Sequence, residues 1–348
     1  MLALFTDEQV MVEQAVGRIA QDAALVNPSD LANFDGSKVW RALAESGYLG
    51  LRTRVDGGPL ASGVEVMITA TSLASHLVPV PFVGSAVLAT ELLALSGAPT
   101  EWVDDVGSGA VRYAVSLNTD LTNLADADGE GAIAWDCGGA GYVVGLRGPA
   151  GRRKVVRAAA TDLLPLKSTD LTRDLARLQG EVSIEEVGDL SSEDEARWYA
   201  LALTALAADL VGTMRGSLSR VLEYSKSRFQ FGAEIGSFQA IQHLCAEAHV
   251  AIEASASTTR YAAWAVDELP AAEALIAART AKAYASSVSR DVLETVMQVY
   301  GGIGHTWEHI AHLYLRRGLL SEQTLGTDRT QLLAIAASRL GGIHDGLS

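Results

Sequence analysis

The residues best suited to chemistry lie in one stretch, Arg228-Phe-Gln-Phe-Gly-Ala-Glu-Ile-Gly-Ser-Phe-Gln-Ala-Ile-Gln-His243. A planar guanidinium such as that of Arg228 forks onto a pyrophosphate through paired charge-assisted hydrogen bonds. Glycines let a ligand approach the backbone. Gln230, Gln239 and Gln242 read polar edges without adding charge, and Phe231 and Phe238 offer aromatic faces. Together these types suit an extended, phosphate-bearing, partly aromatic ligand. The same residues admit a plainer reading, with Arg228 paired to Glu223 or Glu234 on the surface and the two phenylalanines filling a helix junction. A second segment, Gln298-Val-Tyr-Gly-Gly-Ile-Gly-His-Thr-Trp-Glu-His309, adds polar and glycine-rich backbone. Its Gly301-Gly-Ile-Gly304 has the look of a dinucleotide fingerprint, but the preceding pattern is helical and no strand leads into it, so a Rossmann reading fails. Gly301 and Gly302 also read as a helix stop. Glu308, His309 and His312 suggest a metal site, but the spacing puts only His309 near His312 on a helix face, with no third strong ligand identified nearby.

The elements that must position these residues follow from hydrophobic spacing. The chain has 348 residues, 49% of them hydrophobic, enough for two or three units with a substantial core. Its formal charge of −15 argues against a nucleic-acid partner. Cys137 and Cys245 form no metal spacing and fit a reducing compartment. No apolar run reaches the roughly 18 residues of a membrane span, so a cytoplasmic protein is expected. Residues 6 to about 105 read as helices, opened by the capping-box pattern Thr6-Asp-Glu-Gln9. Helices are expected over Lys38–Ser46, Val64–His76 and about Gly84–Leu95. Strands are expected over Val111–Leu117, Ala132–Trp135, Gly141–Leu146, Lys154–Ala158 and Glu181–Ile184, with turns at Asp128-Gly129 and Gly138-Gly139. From the N-cap Ser191 the chain turns helical again, with helices over Glu195–Lys226, Ile241–Glu268, Ala271–Gly301 and Thr330–Leu340. The fold class is therefore mainly α with a small β domain. The expected division is an N-terminal helical domain over 1–110, a small β domain over 111–190 and a C-terminal four-helix bundle over 191–348.

This order, together with the Arg228–His243 and Gln298–His309 segments, resembles the acyl-CoA dehydrogenase family over nearly the whole chain. Trp40-Arg-Ala-Leu-Ala-Glu-Ser-Gly-Tyr-Leu-Gly-Leu51 and Asp170-Leu-Thr-Arg-Asp-Leu175 are similar to family segments as well. The resemblance implies FAD at a subunit interface, with the flavin ring on the β domain of one subunit and the adenine and pyrophosphate end reaching the bundle of its neighbour. It places Arg228 on the pyrophosphate, flanked by Gln230 and Phe231, with Phe238 packing nearby. Gln298, Gly301 and Gly302 then approach the adenine side, and Thr327 of the Gly326-Thr327 pair completes the set. Trp307 and Tyr314 are expected to pack. Electron-transferring flavoprotein is the acceptor that the family suggests.

The departures from the family are as informative. Its reaction needs a carboxylate to remove the α-proton of an acyl-CoA thioester. One family position for that base precedes the Gly-Thr pair and is Leu325 here. The other lies about 26 residues before Arg228 and is Ala202. Neither side chain accepts a proton; Asp328 is the nearest carboxylate to the first position. The β-domain loop that would hold the flavin ring corresponds to Ser116-Leu-Asn-Thr-Asp-Leu-Thr122, which lacks the family's proline and glycine. A chain that keeps the half-site lent to a neighbour and loses the one it would use itself is expected in a heteromer. The expected assembly is an α2β2 heterotetramer with a homologous, catalytically competent subunit, similar to actinobacterial enzymes of steroid side-chain breakdown. A self-sufficient dehydrogenase using Asp328, or a flavin-free structural or acyl-CoA-binding subunit, are the alternatives.

Overall fold

Thr6 starts the first helix by a reciprocal cap. Its hydroxyl accepts from the Gln9 N–H, and the Gln9 side chain accepts from the Thr6 N–H, both at 3.2 Å. The structure is a computed structural model that describes residues 4–127, 131–149, 151–161, 163–179 and 183–340. Helix α1 (Asp7–Asp22) is followed by α2 (Gly36–Glu45), a two-residue hairpin of β1 (Arg54–Val55) and β2 (Gly58–Pro59), and α3 (Gly63–Ser75). The helix expected from about Gly84 begins as a π-helical segment over Phe82–Ala89 before becoming α4 (Thr90–Leu95); α5 (Thr100–Gly107) follows. The π-helical start is bonded to the sheet, because Gly84 N–H donates to Asp136 Oδ2 at 2.9 Å and Ser85 Oγ accepts from Tyr113 N–H at 3.0 Å.

Seven strands form one mixed sheet: β3 (Tyr113–Leu117), β4 (Ile133–Trp135), β5 (Tyr142–Arg147), β6 (Arg153–Ala159), β7 (Leu163–Pro165), β8 (Leu175–Leu178) and β9 (Ile184–Leu190). Their spatial order is β7-β8-β4-β3-β5-β6-β9, with β3 and β5 parallel. The short strands β7 and β8 carry little alternation and escape a period-two reading. The expected strand over Glu181–Ile184 is instead β9, which begins at Ile184; Glu181, Val182 and the expected Asp128-Gly129 turn lie outside the described residues.

The C-terminal helices are α6 (Ser192–Ser227), α7 (Gln239–Glu268), α8 (Ala271–Tyr300), α9 (Ala311–Gln323) and α10 (Asp328–Leu340), with the hairpin of β10 (Phe229–Gln230) and β11 (Ala233–Glu234) between α6 and α7. Ser191 Oγ caps α6 by accepting from Asp194 N–H at 3.1 Å. Helix α6 is buried along most of its length and packs against α3, α7, α8 and α9. It approaches α3 so closely that a Cβ at Gly212 or Gly216 would collide with the carbonyls of Thr71 or Ser75. Helix α9 was not expected from spacing: the Arg316-Arg317 pair and Gly318 interrupt its apolar pattern. That glycine is where Leu293 of α8 presses in.

Candidate functional site

The two motif segments lie far apart in sequence, and an aromatic chain joins them. Tyr224 on the last turns of α6 meets Tyr300 at the end of α8 (ring centres 5.0 Å apart), and Tyr300 meets His309 at 4.3 Å. Arg228, one turn beyond Tyr224, is therefore brought to the same end of the bundle as Gln298, Gly301 and Gly302. Arg228, Gln298 and Gly302 are exposed and Gly301 is half-buried. The Arg228 guanidinium makes no hydrogen bond or ion pair among the described residues; Glu223 pairs with Lys226 instead. The surface-pairing reading of Arg228 thus has no support.

The hairpin after Arg228 presents the aromatics outward. Gln230 opposes Ala233, and the two residues between, Phe231 and Gly232, have φ of 53° and 82°. Positive φ at both positions is the mark of a type I′ turn, which favours Asn-Gly. Glycine adopts it freely, whereas a phenylalanine there costs about 1 kcal/mol. Phe231 is nevertheless 96% exposed, with the Phe238 ring edge-on at 6.4 Å. Phe229 is exposed as well, and Phe238 sits at the border of exposure, so these rings are not core fillers. Beside them Gly301 ends α8 with φ 67° and ψ −144°, a region in which a side chain is strained. A Cβ on Gly301 or Gly302 would meet nothing within 4 Å in this chain. Gln230 Nε2 donates only to the neighbouring Phe229 carbonyl, at 2.8 Å. This face offers an unpartnered cation, amides, glycines and rings to something outside the chain, which fits the tail of a dinucleotide.

The positions expected for a base and a flavin ring look different. Ala202 and Leu325 are buried in the same apolar core as Leu117, Leu121 and Leu124. Leu325 N–H donates to the Leu121 carbonyl at 2.7 Å, joining the α9–α10 corner directly to the β3–β4 loop. Both leucines hold positive φ, 56° and 62°, a conformation that costs energy for such side chains. Within the loop, Asn118 and Asp120 spend their side-chain oxygens on the backbone of Thr122 at 2.8 and 3.2 Å. The hydroxyls there are bonded inward: Ser116 Oγ donates to the Asp126 carbonyl and Thr122 Oγ1 to Asp120. These residues do not fit a flavin ring, because backbone meets backbone where a slot would have to be. Asp328 is the first residue of α10, half-buried, within electrostatic reach of Lys282 and Glu322. Thr327 Oγ1 lies 3.3 Å from Thr330 Oγ1 in the turn that starts α10.

Two buried polar groupings hold this corner shut, and spacing alone did not single them out. Lys282 on α8 is fully buried and directs its ammonium to Ser286 Oγ (3.0 Å) and to the carbonyls of Glu322 (2.8 Å) and Gly326 (3.1 Å). Burial pulls its pKa down to about 7, against the pull of Glu322 and Asp328. Asp209, inside α6, accepts from Arg317 (2.6 Å), Ser321 (2.7 Å) and Arg173 (3.1 Å). Arg173 also faces Asp136 and Asp170, at 3.9 and 3.7 Å, and lies 4.6 Å from the centre of the Trp135 ring. Burial pushes Asp136 up to about 6 despite Arg173, whereas the two arginines hold Asp209 below the ordinary carboxylate range against its burial. A lone aspartate in the apolar run Leu206-Ala-Ala-Asp-Leu-Val211 was the available signal for this network.

In the second motif segment Tyr314 is buried as expected, donating its hydroxyl to the Ser75 carbonyl at 2.9 Å. Trp307, expected to pack, is instead 62% exposed, stacked only on His312 at 4.8 Å and beneath the Arg316 guanidinium at 5.0 Å. The reason is local: both partners come from α9, which lifts the indole over its own surface. His309 turns to Tyr300 and His312 to Trp307; no group of three metal-ligating side chains occurs among the described residues. No helix among the described residues is long and apolar enough to cross a membrane.

The likeness of this chain to known proteins bears on its family. Residues 203–340 match the family described as acyl-CoA dehydrogenase, C-terminal domain. The chain is 31% identical to acyl-CoA dehydrogenase FadE34 of Mycobacterium tuberculosis over 363 aligned residues, covering 99% of this chain but only 50% of that protein. Among solved structures, the ChsE4-ChsE5 complex from Mycobacterium tuberculosis superposes with a TM-score of 0.80 over 97% of this chain and 98% of that one, at 24% identity. Acyl-CoA dehydrogenase IpdE2 of the same organism is 30% identical over 324 residues, 92% of each chain. A likeness of that extent, end to end, makes this protein a member of the acyl-CoA dehydrogenase family.

Proposed function

We propose that this chain is the non-catalytic subunit of a heteromeric, FAD-dependent acyl-CoA dehydrogenase. It lends the pyrophosphate and adenine half of a flavin site to a homologous partner that carries the ring pocket and the base. The observation that carries the reading is the direct bond from Leu325 N–H to the Leu121 carbonyl. It ties the two loops together beside the position where a carboxylate would be required, which supports a lost ring pocket. The open face on the other side of the bundle supports the complementary half. There Arg228 would fork onto a pyrophosphate. Gln230, Phe231 and Phe238 would enclose it, and Gln298, Gly301 and Gly302 would border the adenine. Thr327, capping α10 on the closed side, is the weakest member of that set. FAD, the cofactor of the family, supplies hydride acceptance when bound; this chain's residues bind and orient its tail.

The arrangement implies two chains of each kind and one flavin per pair, with the substrate channel mainly in the partner. The expected similarity to actinobacterial enzymes of steroid side-chain breakdown supports a bulky acyl-CoA as substrate, with electron-transferring flavoprotein as acceptor, in the cytoplasm. The units 1–110, 111–190 and 191–348 would then divide the work, the last carrying the shared face. Asp328 does not serve as a base in this reading, since it lies on the Lys282 side of the corner.

The test is the visible spectrum and mass of the purified protein, made with and without a homologous acyl-CoA dehydrogenase chain. Flavin bound only in the mixed complex, at about one per pair, is the expected result. A lone chain that is yellow at one flavin per polypeptide would overturn the closed-slot account. A colourless mixed complex would leave only the flavin-free alternative.

A further inference from the structure

A cleft of about 600 Å³ lies away from the flavin-tail face, between α2 and the turn that joins α5 to β3. Arg41 and Arg112 line it with Trp40, Ser37 and Ser108. Arg112 is half-buried, and its guanidinium lies 4.6 Å from the centre of the Trp40 ring. One of its nitrogens donates to the Gly138 carbonyl at 3.2 Å. Trp40 is itself fixed, its Nε1 donating to the Gly109 carbonyl at 3.2 Å, so the arginine rests on a rigid platform. Neither Arg112 nor Arg41 forms an ion pair among the described residues. Glu45 lines the rim without bonding to either. Loss of water alone moves the Arg112 pKa, downward, with no carboxylate acting against it.

This is unusual for a chain with 42 acidic and 27 basic residues. Taking a cation partly out of water is unfavourable unless a counter-charge meets it. Here two guanidinium groups share one cleft and none of the plentiful carboxylates is bonded to them. Guanidinium donors and serine hydroxyls match the oxygens of a phosphate, which accepts several charge-assisted bonds at once. We propose that this cleft binds a phosphate monoester, held by Arg41 and Arg112 with the hydroxyl of Ser37. The phosphate is carried by a nucleotide or by a smaller molecule, and the cleft's size accommodates either.

Isothermal titration of the full chain with inorganic phosphate and with adenosine 3′,5′-bisphosphate tests this. Saturable one-site binding of at least one probe is expected, weakening as salt is raised. Arg112→Met and Arg41→Ala should each reduce the affinity about tenfold or more, as loss of a charge-assisted contact requires. Arg18→Ala, an exposed arginine outside the cleft, should leave it unchanged. Arg41 is exposed, so its variant decides the matter if Arg112→Met fails to fold. Tighter binding of the bisphosphate assigns the site to a nucleotide-borne phosphate, and equal binding to a simpler one. No saturable binding of either probe, or affinity unaltered by the arginine substitutions, would overturn the assignment.

Discussion

The proposed flavin-tail face and the closed corner are built from one bundle, yet they spend polar groups in opposite ways. At the face, Arg228 has no partner among the described residues and Phe231 stands 96% exposed at a strained turn. At the corner, Lys282, Asp209, Arg173 and Arg317 are all buried, and each bonds to another buried group of the corner. The face contributes little to the stability of the isolated chain and makes sense as something to be covered. The corner gives nothing to a ligand and makes sense as internal support. In the proposed reading, the chain differs from a competent subunit by more than two missing carboxylates, since Ala202 and Leu325 also lie in the apolar core.

The largest effect should come from the corner. Asp209→Ala would leave Arg317 and Arg173 buried without their shared counter-ion, a change worth about 3–5 kcal/mol. Equilibrium unfolding in urea measures it; a loss below about 1 kcal/mol would mean that the network is not the support described. Next is Arg228→Ala, which should leave the isolated chain within about 0.5 kcal/mol of the parent. In the mixed complex it should weaken FAD retention about 10- to 150-fold. Unchanged flavin content in that complex would remove Arg228 from the site.

Lys282 sharpens the comparison through pH. Its pKa is about 7 in the folded chain and 10.5 ordinarily, so between those values the unfolded chain binds the extra proton. Stability attributable to Lys282 must then rise with pH from about 7 to about 10, by at most about 1.4 kcal/mol per unit. Below pH 7 both states are protonated and the burial penalty is fully present. Comparing parent with Lys282→Met by denaturant unfolding at pH 6.5, 8 and 9.5 should show the parent gaining on the variant. A difference that does not move with pH would contradict a buried, titrating amine. The smallest effect belongs to the hairpin tip. Phe231→Asn should stabilise the isolated chain by about 0.5–1 kcal/mol, because Asn-Gly suits the turn, while weakening association with the partner. Stabilisation with association unchanged would assign the exposed ring no interface role.

Much of this was legible in the residue pattern because the signals are local. The Thr6 and Ser191 caps, the long apolar spacings of α6, α7 and α8, and most central strands need only neighbours within a few residues. The exposure of Arg228 and the helix-ending role of Gly301 belong to the same kind, since turn chemistry is written in adjacent residues. Helix α9 was hidden because Gly318, Arg316 and Arg317 break a period that only packing against α8 explains, and strands β7 and β8 because they are short and carry little alternation.

What the sequence determined by itself was the family, the order of helices, sheet and helices, and the absence of a carboxylate at Leu325 and Ala202. Those follow from residue identity and short spacing. Only the tertiary structure decided that the slot is closed, that Trp307 faces solvent, and that Asp209 meets arginines from α9 and from the loop before β8. The closed corner and the Asp209 network depend on residues far apart in the chain meeting at a few ångströms, and the free energy of such meetings is set by burial and pairing that no local pattern records.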